Sequence, residues 1–203
     1  MPAATLQGER FLVVEDEPLI AIDVQATLER VGASVVVART MPEALRYAES
    51  PALSAGVLDF RVGSHDAEPV CEALNRRAVP FIFFTGLAGQ LSSRWAATPG
   101  VGKPATPEKI VGALQFVLSL DAREIVIECQ GGRADRERLA RIDQVILAGQ
   151  QRILKMRRSI AQLTSSGADT SAAEVVVATM TDLLEGMRAH RDMSAHLASK
   201  LGR

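Results

Sequence analysis

The stretch Phe11–Glu17, FLVVEDE, decides how the chain is read. An apolar run from Phe11 to Val14 stops at three consecutive acids, Glu15, Asp16 and Glu17. A short, continuously apolar, β-rich run suits a strand buried on both faces of a parallel sheet. A second such run, Gly56, Val57 and Leu58, stops at Asp59. Two buried strands that each end in a carboxylate put those carboxylates on one edge of a sheet. In open parallel α/β sheets that edge is where ligands bind.

Outward from this stretch, the apolar period alternates between two and 3.6. Pro18 suits the first turn of a helix carrying Leu19, Ile22, Val24, Leu28 and Val31, and Gly32 stops it. Ser34–Ala38 is predicted as a second strand. Thr40, with Glu43 three residues on, is a capping box for a helix to about Ser50. Ala55–Asp59 is a third strand, followed by a polar loop and a helix from Ala67 to Arg77. Phe81–Phe84 is a fourth strand ending at Thr85 and Gly86. Leu87–Thr98 is weakly patterned and reads as a short or irregular helix. Val101 stands in a very short fifth strand before Lys103 and Pro104. Thr106 and Pro107 open a helix to about Leu120. Strands alternating with helices imply an α/β fold, a doubly wound five-stranded parallel sheet of flavodoxin-like type, over residues 1–120.

Residues 121–132 are a junction with an apolar patch, Ile125 to Ile127, and a break at Gly131 and Gly132. From residue 133 the pattern becomes a heptad. Leu139, Ile142, Ile146, Gly149, Ile153, Met156, Ile160 and Leu163 recur in steps of three and four. A turn around Gly167 and a capping box of Ser171 and Glu174 lead into a second heptad from Val176 to Leu201. The prediction for 133–203 is an all-α antiparallel helical hairpin, with helices over about 133–164 and 171–200 and coiled-coil packing. Val145, Leu147 and Leu154 widen the first apolar stripe, and Val175, Val177 and Leu184 widen the second. A face broader than a two-helix seam is the pattern of a bundle core. The expected outcome is a homodimer through the hairpin; the competing arrangement folds the N-terminal unit back over it.

Composition narrows the function classes. With 23 basic and 24 acidic residues the formal charge is −1, so no global field draws the chain to nucleic acid or to a membrane surface. No apolar run nears the roughly 20 residues of a membrane span. The N-terminus lacks a signal-peptide pattern, which favours the cytoplasm. Cys71 and Cys129 form no C-x-x-C motif and read as reduced thiols. One Trp and one Tyr offer little base stacking.

Glu15, Asp16 and Asp59 cluster hard oxygen donors, a set that suits Mg²⁺ with retained waters and a phosphate oxygen. Thr85 ends the next strand with a hydroxyl, and Lys103 ends the last with an ammonium able to meet a phosphoryl oxygen. Acids, hydroxyl and lysine at successive strand ends are far more specific together than any one of them. Through VVEDEP, VLDF, FFTG and GKP, residues 9–120 resemble the receiver domain of bacterial two-component response regulators. FFTG resembles in particular an alphaproteobacterial receiver subfamily with a Phe-Ala-Thr-Gly-x-Tyr motif, although Leu87 and Ala88 supply no Tyr here.

The resemblance implies that Asp59 accepts a phosphoryl group from a sensor histidine kinase or phosphotransfer protein. It implies Mg²⁺ held by Glu15, Asp16, Asp59 and the backbone carbonyl of Arg61. Thr85 and Lys103 would be drawn to the phosphoryl oxygens, with a cis bond before Pro104. The chain would be a phosphoprotein and a regulator, not a dedicated enzyme, though one able to dephosphorylate itself. Most receivers carry an aromatic where Val101 stands, so the usual aromatic switch is expected to be absent. Output is expected through protein contacts of the hairpin. The alternative is a transcriptional or RNA-binding regulator using Arg152, Lys155, Arg157 and Arg158 on the first long helix. Glu17, and His65 with Asp66, read as solvated loop residues rather than ligands. His190 and His196 raise a third reading, a phosphorelay intermediate, but lie in no kinase-like motif.

Overall fold

Phe11–Val14 of FLVVEDE lies in an interior strand of a parallel sheet, and the three acids follow the end of that strand. In the computed structural model, which describes residues 6–86, 95, 98–119 and 134–201, β1 is Arg10–Val14, α1 Pro18–Arg30, β2 Ser34–Ala38, α2 Met41–Ala48 and β3 Ala55–Leu58. A two-stranded ribbon follows, β4 Arg61–Val62 and β5 His65–Asp66, then α3 Glu68–Arg76, β6 Phe81–Thr85, β7 Gly100–Gly102 and α4 Pro107–Leu118. The long helices are α5, Ala134–Ser165, and α6, Ser171–Leu201. The five-stranded sheet has the order β2-β1-β3-β6-β7, every pair parallel. This is the doubly wound fold the sequence predicts.

Alternation along the strands builds two cores. Phe11, Val13, Val57, Ile82 and Phe84 face one side, with Val24 and Leu28 of α1 and Ile110 and Leu114 of α4. Leu12, Val14, Leu58, Phe81 and Phe83 face the other, with Ala44 of α2 and Val70, Cys71 and Leu74 of α3. Trp95 is buried there, edge-on to Phe81.

Several local expectations shift. On α1 the buried residues are Ala21, Val24, Thr27 and Leu28, while Leu19 and Ile22 are 81% and 61% exposed. The helix therefore turns a different arc to the sheet than its apolar residues suggest. The loop after Asp59 is not irregular; Arg61 pairs with Asp66 and Val62 with His65. Thr40 accepts from the Glu43 N–H as a cap, and the Glu43 carboxylate accepts from the N–H of Arg39 as well as interacting with the Thr40 backbone. At α6 the cap moves back one residue: the Thr170 hydroxyl donates to Glu174, and Asp169 accepts from Ser171. The expected helix at Leu87–Thr98, apart from Trp95 and Thr98, and the junction at 121–132 lie outside the described residues, as do the side chains of His190 and His196.

The hairpin forms and packs on α4. Ile142, Ile146, Ile153, Val176, Met180, Leu183 and Met187 bury the heptad seam in the same core as Ile110, Phe116 and Val117. Small residues set the approach. A Cβ on Gly149 would stand 2.7 Å from Leu184 Cδ2 and 3.0 Å from Phe116 Cε2. A Cβ on Gly112 would stand 3.3 Å from Thr179 Cβ. Arg152 donates to the carbonyl of Ser119. Of the residues expected to face a second hairpin, Val145, Val177 and Leu184 are therefore already buried within the chain, and Leu147, Leu154 and Val175 stay exposed. The wide apolar stripe is broad because it meets α4 as well as its sister helix.

Candidate functional site

Backbone ladders carry each candidate residue to the same sheet edge. Glu15 N–H donates to the Ala38 carbonyl just past β1, and Asp59 N–H to the Val14 carbonyl just past β3. Thr85 closes β6, and its carbonyl accepts from Lys103 N–H past β7. One ligand oxygen from each of Glu15, Asp16 and Asp59 can be chosen so that all lie within 4.8 Å of one another. Lys103 Nζ donates to Asp59 Oδ2 and Glu15 Oε2, at 2.5 Å each. Thr85 is buried at the end of its strand. The Lys103–Pro104 bond is cis.

Three of the four remaining carboxylate oxygens are also held. Asp59 Oδ1 accepts from Arg61 N–H at 3.2 Å, Asp16 Oδ2 from Gly63 N–H at 2.9 Å, and Glu15 Oε1 from Glu17 N–H at 3.3 Å. Glu17 and the side chains of Arg61, His65 and Asp66 are exposed, and the trio of acids is the metal-competent group among the described residues.

Burial governs the electrostatics. Glu15 is 2% exposed, and desolvation raises its pKa; the charge of Asp59 adds to this, while Lys103 and the Glu17 N–H offset part of it. Burial pulls Lys103 down, but hydrogen bonds and charge from Asp59 and Glu15 outweigh it and leave its pKa raised. Three acids facing one ammonium leave an excess of negative charge, which a hard divalent cation would neutralise. All the donors are oxygens, so the residues present fit Mg²⁺.

Two contributors escape the sequence reading. Gly63 adopts φ +61° at the ribbon turn, which lets its N–H reach Asp16. The glycine four residues after Asp59 was the available signal. Phe84 lies under Lys103, with Nζ 5.4 Å from its ring centroid. No sequence pattern distinguishes that position from the other core aromatics.

No family model matches this chain. Among curated proteins it is similar to the phyllosphere-induced regulator PhyR of Methylorubrum extorquens, 32% identical over 114 residues, 53% of this chain and 43% of that protein. The chain thus spans less than half the length of that relative. Among solved structures it is similar to SdrG of Sphingomonas melonis, 34% identical, covering 58% of this chain and 99% of that one with a TM-score of 0.50. The non-phosphorylated HemR receiver domain of Leptospira biflexa matches at 26% identity and TM-score 0.50, over 56% of this chain and 96% of that one. The receiver domain of the sensor histidine kinase PA1611 of Pseudomonas aeruginosa, which has a magnesium ion coordinated in its active-site cleft, matches at 25% and 0.50, over 56% and 99%. With the strand order and the sheet-edge constellation, these matches show that the N-terminal part of this chain belongs to the receiver-domain family of two-component response regulators.

Proposed function

We propose that the chain is a response regulator switched by phosphorylation of Asp59. The observation that carries this is the convergence of Glu15, Asp16 and Asp59 within 4.8 Å beside the Lys103 ammonium. Asp59 is the nucleophile. Its Oδ2 attacks the phosphorus of a phosphohistidine on a sensor kinase or phosphotransfer protein, the P–N bond breaks, and the imidazole leaves. Glu15, Asp16, Asp59 and the Arg61 carbonyl would hold Mg²⁺, which would supply charge neutralisation on the transferring group.

Lys103 then leaves its carboxylate partners for a phosphoryl oxygen, and the Thr85 hydroxyl turns toward another. The change reaches the loops after β6 and β7, and through Lys103 the start of α4. With Val101 in place of an aromatic, backbone movement near Thr85 carries the signal. Residues 1–120 form the receiver, 121–132 the junction and 133–203 the output hairpin. The chain works in the cytoplasm by protein contact, including self-association of the hairpin. It is not a dedicated enzyme beyond accepting, and hydrolysing, its own phosphoryl group.

Beryllofluoride with Mg²⁺ mimics a phosphoryl group on a carboxylate. A fluorine NMR titration should show a bound signal in wild type and none in Asp59→Asn. A bound signal retained in Asp59→Asn contradicts the assignment.

A further inference from the structure

Each long helix keeps one face outside the core. On α5, Leu147, Gln151, Leu154 and Arg158 recur in steps of four, three and four, all exposed, the two leucines at 55% and 56%. Leucines this exposed, one heptad apart on a regular helix, form a sticky stripe in an isolated chain. Lys155 and Arg157 flank it, and no acid occurs between Asp143 and Asp169. On α6, Val175, Ala178, Asp182 and Glu185 recur in steps of three, four and three, and all are exposed. That stripe is small and acidic where the first is bulky and basic. Among the described residues, Lys155, Arg157, Arg158, Asp182 and Glu185 enter no ion pair.

We infer that the exposed α5 face docks on the exposed α6 face of a second copy of this chain, with Leu147 and Leu154 against Val175 and Ala178, and Arg157 and Arg158 against Asp182 and Glu185. The inference rests on the protein-contact output proposed above and names its face and occupant. The occupant follows from charge complementarity: each stripe finds its complement in sign and side-chain size on the same chain. A two-fold pair makes both contacts at once and leaves neither stripe open. Leu184, buried against Gly149 and α4, takes no part.

Light scattering of the full chain across a concentration series tests this. The wild-type mass should rise from one chain to two, and added salt should move the rise to higher concentration. Leu147→Glu with Leu154→Glu should remain one chain with unchanged helicity. Arg157→Glu with Arg158→Glu, and Asp182→Lys with Glu185→Lys, should each remain one chain, and mixing the two should restore the two-chain species. A wild type that stays at one chain throughout overturns the inference, including the case where the basic face retains nucleic acid or an acidic partner instead. Charge variants that still pair, or a mixture that does not, overturn it as well. Acetyl phosphate labelling of the same proteins separates the two claims: loss of label in wild type removes the Asp59 reading, whereas monomeric but labelled protein removes only the docking surface.

Discussion

Lys103 Nζ stands 2.5 Å from Asp59 Oδ2 and 2.5 Å from Glu15 Oε2, so one ammonium is shared between the proposed phosphoacceptor and a proposed metal ligand. The three side chains are almost enclosed, at 14%, 13% and 2% exposure. Removing one member of such a cluster leaves the others desolvated and repelling, which is more costly than losing the attraction alone.

Lys103→Met should therefore destabilise the metal-free protein by about 3 kcal/mol. Mg²⁺ should restore much of the loss, because the cation replaces the missing positive charge. Thermal melts with and without Mg²⁺ check this. A variant as stable as wild type without metal, or one that Mg²⁺ does not rescue, contradicts it.

The raised pKa of Glu15 gives a pH signature. A carboxyl raised by burial favours the protonated form in the fold. Its stabilising contribution is present below the ordinary value of 4.5 and is lost as pH rises through the raised value. Mg²⁺ needs the ionised form, so protons compete with the metal at a higher pH than for an ordinary glutamate. Calorimetric titrations should show Mg²⁺ affinity weakening as pH falls while still above 4.5. An affinity flat down to that value contradicts the burial argument.

The hairpin owes its position to Gly149. Leu184→Ala should cost about 2–5 kcal/mol by opening a cavity between α4, α5 and α6. Gly149→Val, which drives carbon into Leu184 and Phe116, should cost about 1–3 kcal/mol through overpacking. Chemical denaturation measures both. Leu184→Ala behaving as a neutral surface change would show that the hairpin does not dock on α4.

Much of this was legible in the sequence, for physical reasons. Strands buried on both faces are apolar throughout, and a parallel sheet delivers their ends to one edge, so Glu15, Asp16, Asp59, Thr85 and Lys103 could be grouped from spacing. The heptads of α5 and α6 were equally plain. What escaped depends on direction rather than composition. Leu19 and Ile22 share a helical period with Val24 and Leu28, yet α1 turns them to solvent. The width of the hairpin's apolar face was visible, but width alone does not say whether α4 or a second copy covers it; Val145, Val177 and Leu184 went into the core that the hairpin shares with α4. The β4–β5 ribbon depends on the conformation of Gly63, which a polar loop sequence does not announce.

Because α4 buries residues toward both the sheet and the hairpin, the fragment 1–120 should fold cooperatively but melt below the full chain. It should also bind a hydrophobic dye through the uncovered Phe116 and Val117 surface. An equal melting temperature would show that the hairpin adds nothing to the receiver core.

Intact mass after incubation with acetyl phosphate and Mg²⁺ decides whether Asp59 takes a phosphoryl group. The wild type should gain the mass of one phosphoryl group, peptide mapping should place it on Asp59, and chelating the metal should abolish the gain. Asp59→Asn labelling as well as wild type, or a wild type that takes no label with Mg²⁺ present, would contradict it.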